Sequence, residues 1–401
     1  MTLFILAFLT VIILLVNVFI AKKIYAPPVI LCAVFLACFF LIEVAYGALE
    51  DEYLFYGCYV IAAIMFSVGF HLASFGVKCS SNNTKYYASF SDQWFPILIL
   101  MAYGISAIQL ADILPYAGTG NLWRALEHNY TSKSIIVLLN LYNVIIFFIS
   151  TTLVFLDSTK KNKKRWLAVA ISLIPYLVTL NRGTWIMMII TIVFQWLYIK
   201  RKSNIIAIRW GSLCIAGMLG LIAISSIWKY GEYYNYGELF AMVSKAYFGS
   251  QFAAFRLNMA YNKTLLGGQN TFRVIIAVLH SIGLLDLEPI NIVQPFVTIY
   301  GYPTNVYTGL SYYAMDFGMW WAYAMEFIFG LIYGRLYKKA MSKKTVSVFY
   351  VTALSMLMYP LVNQFFDDKY LSVAAEWIKY FIFLWIFTRK SILQIKEKPQ
   401  E

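Results

Sequence analysis

Charge is what this sequence has least of. Asp, Glu, Lys and Arg supply 13% of its 401 residues, against 61% hydrophobic and 18% aromatic, too little polar cover for a water-facing globule of that size. The deficit excludes a soluble enzyme. Strict polar–apolar alternation in segments of about ten residues, the mark of a membrane β-barrel, is also missing. Histidine is rarer still, with three residues beside five cysteines, and no CxxC or His/Cys spacing suggests a metal centre. Cys32, Cys38, Cys58 and Cys214 fall in apolar segments and Cys79 on a basic loop, so no disulfide is expected and all five read as inert packing residues. Low-complexity tracts and a convincing internal duplication are absent too.

What is present is a series of apolar windows of about 20 residues, long enough to cross a hydrocarbon core of roughly 30 Å as helix. Eleven spans are expected, within a range of ten to twelve: Thr2–Ala21, Pro27–Gly47, Leu54–Gly76, Gln93–Ile113, Ser134–Leu156, Trp166–Leu180, Thr184–Ile199, Trp210–Trp228, Val306–Gly334, Val346–Val362 and Ser372–Thr388. The fold class is therefore an all-α polytopic integral membrane protein, a single membrane domain over residues 1–401. Residues 390–401 form a short cytoplasmic tail, ending in a KEKPQE stretch expected to be disordered.

Basic residues set the orientation. Lys22/Lys23, Lys78/Lys85, KKNKKR (Lys160–Arg165), KRK (Lys200–Lys202), Arg335–Lys344 and Arg389/Lys390 all fall on one side, which the positive-inside rule makes cytoplasmic. With an odd number of spans the N-terminus lies outside, and the first span, lacking a basic n-region, reads as a retained reverse anchor. The net charge of +13 then serves topology and anionic lipid rather than nucleic acid.

Inner connections are short, whereas the outer side carries one long segment, 229–305, where the chemistry is expected. It opens with KYGEYYNYGE, which includes Glu238, and contains Arg256, Arg273 and His280. Its run VIIAVLHSIGLL is too short to span and reads as interfacial or re-entrant. A second outer loop, Leu114–Lys133, carries Arg124.

Within the spans one charge stands alone. From Trp166 to Ile199 the only charged residue is Arg182, in TLNRGTWIM. Between Arg165 and Lys200 lie 34 residues, short of the ~40 that two crossings need at about 1.5 Å per residue. The apex Asn181–Arg182–Gly183 should therefore sit below the outer surface, with Gly183 permitting the tight reversal and Pro175 breaking the first arm. Placing a guanidinium there costs at least about 2.5–3.5 kcal/mol unless it faces a polar cavity and an anion. Its planar fork suits phosphate; the alternatives are snorkelling to lipid phosphate or pairing with Asp112 or Asp316.

A second constellation opens the ninth span: NVYTGLSYYAMDFG, Asn305–Gly318. At helical spacing Asn305, Gly309, Tyr312 and Asp316 approach one face. A plainer reading has Thr304 or Asn305 capping the helix and Tyr307, Tyr312 and Tyr313 in an interfacial aromatic belt. Glu326 lies deeper as a proton or structural partner, and Asp367–Asp368 reads as a solvated loop.

NRG at an outer hairpin apex and NVYTGLSYYAMDFG after a large outer loop resemble the Wzy-type oligosaccharide repeat-unit polymerases of bacterial O-antigen and capsule synthesis. That likeness implies a GT-C-like, metal-independent inverting glycosyltransferase of the bacterial inner membrane with no cofactor. The growing glycan would move from undecaprenyl pyrophosphate to the non-reducing end of a single lipid-linked repeat unit. The partners implied are the lipid-linked glycan and the bilayer, with a chain-length regulator left open. Such chemistry needs charge stabilised on the departing pyrophosphate and a proton taken from the attacking hydroxyl. Arg182, helped by Arg256 or Arg273, suits the first; His280, Asp316 and Glu238 are candidate bases in that order. Arg124, Asn305, Tyr307, Tyr312 and Tyr313 are candidate substrate contacts. A ligase of the same fold, transferring the finished glycan, and a flippase of lipid-linked oligosaccharide are the competing readings.

Overall fold

The computed structural model describes residues 2–46, 53–76, 86–88, 95–113, 134–156, 166–173, 182–230, 235, 237–238, 250–261, 265–291, 294–299, 302–341, 345–388 and 392–397. Helix dominates, and it forms where the apolar windows lie. In chain order the helices are α1 (Thr2–Ala21), α2 (Pro27–Tyr46), α3 (Gly57–Ser74), α4 (Phe95–Ile113), α5 (Ser134–Leu156), α6 (Arg182–Lys200), α7 (Asn204–Tyr230), α8 (Ser250–Tyr261), α9 (Arg273–Ser281), α10 (Gly309–Phe317), α11 (Met319–Ala340), α12 (Val348–Asn363) and α13 (Ala374–Thr388). Residues 166–173 are helical as well. Among the described residues three stretches, Thr2–Ala21, Gly57–Ser74 and Gly183–Lys200, are long and apolar enough to cross a membrane, and with the composition they mark a helical membrane protein.

Five short strands complete the described chain: β1 (Tyr86–Ala88), β2 (Val297–Ile299), β3 (Tyr302–Thr304), β4 (Thr345–Ser347) and β5 (Ile392–Glu397). The antiparallel pair β2–β3 leads into α10. In the other sheet β5 lies between β1 and β4, and Lys396 and Glu397 pair with Tyr87 and Tyr86. The first two residues of the KEKPQE stretch thus belong to β5, and residues 398–401 lie outside the described residues.

The chain divides into two compact units that interleave along the sequence. Unit 1 comprises residues 1–76, 222–338 and 358–375, and unit 2 comprises residues 77–221, 339–357 and 376–401.

In unit 1, α1 is apolar on every side, with Phe4 and Phe19 exposed, as expected of a helix bathed in lipid. Its few polar groups turn inward. Asn17 Nδ2 donates to Ser67 Oγ of α3 at 2.9 Å, and its Oδ1 lies 2.7 Å from His71 Nε2. Helices α3 and α11 meet without a side-chain cushion: a Cβ on Gly69 would run into the Phe327 carbonyl oxygen, one on Gly330 into that of Phe66, and one on Gly334 into that of Phe70. Small residues four apart allow this backbone contact, the usual means by which helices associate in lipid. From the 229–305 segment, α8 packs Phe252 edge-on against Tyr59 of α3, ring centroids 5.7 Å apart.

In unit 2 the core is closed by neutral polar contacts. Thr151 Oγ1 donates to Gln195 Oε1 at 2.6 Å, Gln195 Nε2 donates to the Phe148 carbonyl at 2.9 Å, and Thr152 and Thr352 share a 2.8 Å hydroxyl bond. Tyr142 and Phe383 stack at 3.8 Å.

Candidate functional site

The single ninth span expected over Val306–Gly334 is instead two helices. α10 ends at Phe317 and α11 begins at Met319, separated by Gly318 at φ +86°, a left-handed conformation that glycine adopts without a Cβ penalty. The N-terminal cap also differs from expectation. Thr308, in extended conformation, precedes Gly309, so neither Thr304 nor Asn305 occupies that position. Thr308 Oγ1 instead receives the Tyr59 hydroxyl of α3 at 2.9 Å.

A broken helix leaves carbonyls to satisfy, and the segment after α8 satisfies them. Leu266 N donates to the Met315 carbonyl at 2.9 Å and Gly267 N to that of Asp316 at 3.1 Å. The Asp316 side chain then holds the next turn. Oδ1 accepts Asn270 N at 3.0 Å and Asn270 Nδ2 at 3.2 Å, while Oδ2 accepts Thr271 N and Thr271 Oγ1, both at 2.6 Å. Four donors fill the four lone-pair sites of one carboxylate, and the residue is fully buried. Asp316 thus fixes residues 270–271, two positions ahead of Arg273.

The tyrosines of α10 reach a loop that the sequence reading set aside. Tyr312 OH donates to Asp367 Oδ1 at 2.6 Å, and Tyr313 OH to Asp368 Oδ1 at 2.7 Å. With Tyr307, whose hydroxyl donates to the Pro295 carbonyl at 3.2 Å, all three rings are buried; they do not form an interfacial belt. Nor is Asp367–Asp368 a solvated loop. Asp368 is 1% exposed and also accepts Tyr370 N and Ser372 N, each at 2.8 Å. Burial pushes its carboxyl above the ordinary carboxylate range, against the pull of the bonds from Tyr313, Tyr370 and Ser372. Asp367 keeps a partial opening and pairs with Lys369 Nζ at 2.6 Å. Burial opposes the Lys369 ammonium, but Asp367 and the other acidic neighbours outweigh it, so its pKa ends above the ordinary value.

Arg273 closes the ring of contacts. Its Nε donates to the Ile290 carbonyl at 2.8 Å and its Nη1 to that of Ser372 at 3.4 Å, so one guanidinium ties the start of α9 to the loop that Asp368 organises. Partial burial lowers its pKa from the ordinary value. At the other end of α9, His280 Nδ1 lies 3.1 Å from the Leu285 carbonyl. A carbonyl only accepts, so Nδ1 carries a proton in this contact. Ile275, Val278 and Ile282 are exposed along this helix.

Tyr307, Tyr312, Tyr313, Asp316 and Arg273 are therefore brought into one neighbourhood of unit 1. Asn305, half-buried, precedes α10. Arg256 is half-buried on α8, and Glu238 is exposed with its N–H on Asn235 Oδ1 at 2.9 Å. Arg182 is the first residue of α6, in unit 2; its side chain, Pro175 and Arg124 lie outside the described residues. Among the described residues no three His, Cys, Asp or Glu side chains gather as metal ligands. Asp367, Asp368 and Gln364 are the site residues that sequence reasoning missed. The available signal was the loop's length: nine residues, 363–371, separate the last two expected spans, too few to carry two carboxylates clear of the helix ends. No family model matches the chain, and neither a curated protein nor a solved structure is found to match it.

Proposed function

We propose that this protein polymerises undecaprenyl-pyrophosphate-linked oligosaccharide repeat units on the outer face of the bacterial inner membrane. The observation that carries the reading is the behaviour of Asn305–Gly318, the stretch on which the family resemblance rests. It does not run on as plain membrane helix but breaks at Gly318, and its tyrosines and Asp316 bind a buried acidic loop and the 265–271 segment. Discontinuous helix with buried carboxylates is tolerated in a membrane protein where it serves a site.

In this reading the anomeric carbon of the growing glycan leaves the pyrophosphate oxygen, and a hydroxyl oxygen of the incoming repeat unit bonds to it from the opposite face. Arg182, or in its place Arg256, stabilises the charge that develops on the departing pyrophosphate. His280 takes the hydroxyl proton at Nε2, its ring oriented by the Leu285 carbonyl. Asp316, with every lone pair engaged, acts as a positioning residue, and Arg273 anchors the loop of Asp368.

Deletion of the gene in a bacterium that makes a polymeric surface glycan tests this directly, by gel analysis of the glycan. A polymerase deletion leaves single repeat units on the surface and abolishes the ladder. Loss of a flippase removes even the single units, and loss of a ligase leaves polymer on the carrier lipid; either result overturns the reading.

A further inference from the structure

Gln364 touches both halves of the broken helix. Its main-chain carbonyl accepts Gly309 N at the first turn of α10, and its side-chain Nε2 donates to Glu326 Oε1 on α11, each at 2.9 Å. Both residues are 1% exposed. Each side chain keeps one bare oxygen: Glu326 Oε2 and Gln364 Oε1 meet no donor among the described residues. Two buried acceptors without partners, on side chains already bonded to each other, call for an explanation.

The titratable groups acting on Glu326 are Asp368 of the loop, Tyr313 of α10, Tyr333 of its own helix and Tyr370. None is cationic. A carboxylate offers only acceptors, so it can share just one bond with the edge of an amide; a carboxylic acid adds a donor. A single proton therefore answers for both bare oxygens. Placed on Glu326 Oε2 and donated to Gln364 Oε1, it closes an acid–amide pair with two parallel bonds.

We propose that Glu326 is a proton-holding site, a neutral carboxylic acid whose proton bridges to Gln364 and so fastens α10 to α11 across the break at Gly318. It is a positioning residue, joined by hydrogen bond through Gln364 to the first turn of α10. The inference stands on this geometry alone and does not depend on the polymerase reading.

Three variants of the full chain test it: Glu326→Gln, Glu326→Leu and the swap Glu326→Gln with Gln364→Glu. Glutamine presents the same acceptor and donor edge as a protonated acid, so Glu326→Gln keeps the thermal unfolding temperature of the detergent-solubilised protein. Glu326→Leu strands both ends of the Gln364 amide and lowers that temperature by about 4 °C or more. The swap restores an acid–amide pair and also keeps the wild-type temperature. Infrared spectroscopy supplies the second readout: the wild-type chain shows a protonated-carboxyl C=O stretch that Glu326→Gln removes and the swap returns. The proposal is overturned if Glu326→Gln is as damaged as Glu326→Leu, which would mean that the carboxylate charge is needed, as for a bound cation. It is equally overturned if Glu326→Gln removes no such band, a comparison that holds even where Glu326→Leu fails to insert.

Discussion

The two units solve the burial of polar groups differently. Among the described residues, unit 1 buries three carboxyl groups, Asp316, Glu326 and Asp368, whereas unit 2 buries none and closes its core with hydroxyls and amides such as Thr151, Gln195 and the Thr152–Thr352 pair. Neutral bonds between helices act as glue of modest strength, about 0.6 kcal/mol each on average. A buried carboxyl costs far more to place and is kept only where every neighbour supports it. Under the proposed function, the contrast assigns positioning of the chemistry to unit 1 and scaffolding to most of unit 2, with Arg182 as the exception.

That exception gives the sharpest way to break the contrast. Under the proposed function, Arg182→Ala should insert normally but build no polymer, and Arg182→Lys should recover only part of the activity, because a point charge cannot replace the bidentate fork. Both are read from the glycan ladder, and ladders of ordinary length in Arg182→Ala would leave unit 2 as scaffold alone. Next in size is Asp368→Ala, which strands the Tyr313 hydroxyl and the N–H groups of Tyr370 and Ser372. It should cost about 3 kcal/mol in denaturant unfolding of the detergent-solubilised chain.

A pH series refines the same point. Burial raises the folded-state pKa of Asp368 above its ordinary value of 3.8, so the folded chain holds that proton over a window in which the unfolded chain has lost it. The contribution is complete below the unfolded value and is lost as pH rises through the folded one. Unfolding temperature measured upward from pH 4 should therefore fall, and Asp368→Asn should flatten the fall. The smallest effect belongs to unit 2: Thr151→Val removes one neutral hydroxyl donor, shared between Gln195 Oε1 and the Phe148 carbonyl, and should shift stability by only about 0.6 kcal/mol. A loss as large as that of Asp368→Ala would erase the distinction between the units.

How much of this was legible in the sequence follows the range of the interactions. Helices α1 and α5 coincide with their apolar windows, Thr2–Ala21 and Ser134–Leu156, because length and hydrophobicity are local properties. The break at Gly318 is invisible to a hydropathy window, since Val306–Gly334 stays apolar on both sides of it, and glycine in such a run reads equally as packing. The acidic loop was misread for a related reason. Tyr312 and Tyr313 find Asp367 and Asp368 across 55 residues of chain, and nothing near Asp367–Asp368 announces the hydroxyls that accompany its burial. Asp316 stands out in the sequence as a carboxylate in an apolar run, but its four donors come from Asn270 and Thr271, in a turn whose fold no local pattern reveals.

The glycine seam between α3 and α11 bears on how this region can move. Where two backbones touch with no side chains between them, there is no rotamer to flip and no slack to take up, so α11 is a fixed post within its unit. A ligand taken up within this unit would have to be met by elements outside that seam, since sliding α11 along α3 would drive backbone into backbone.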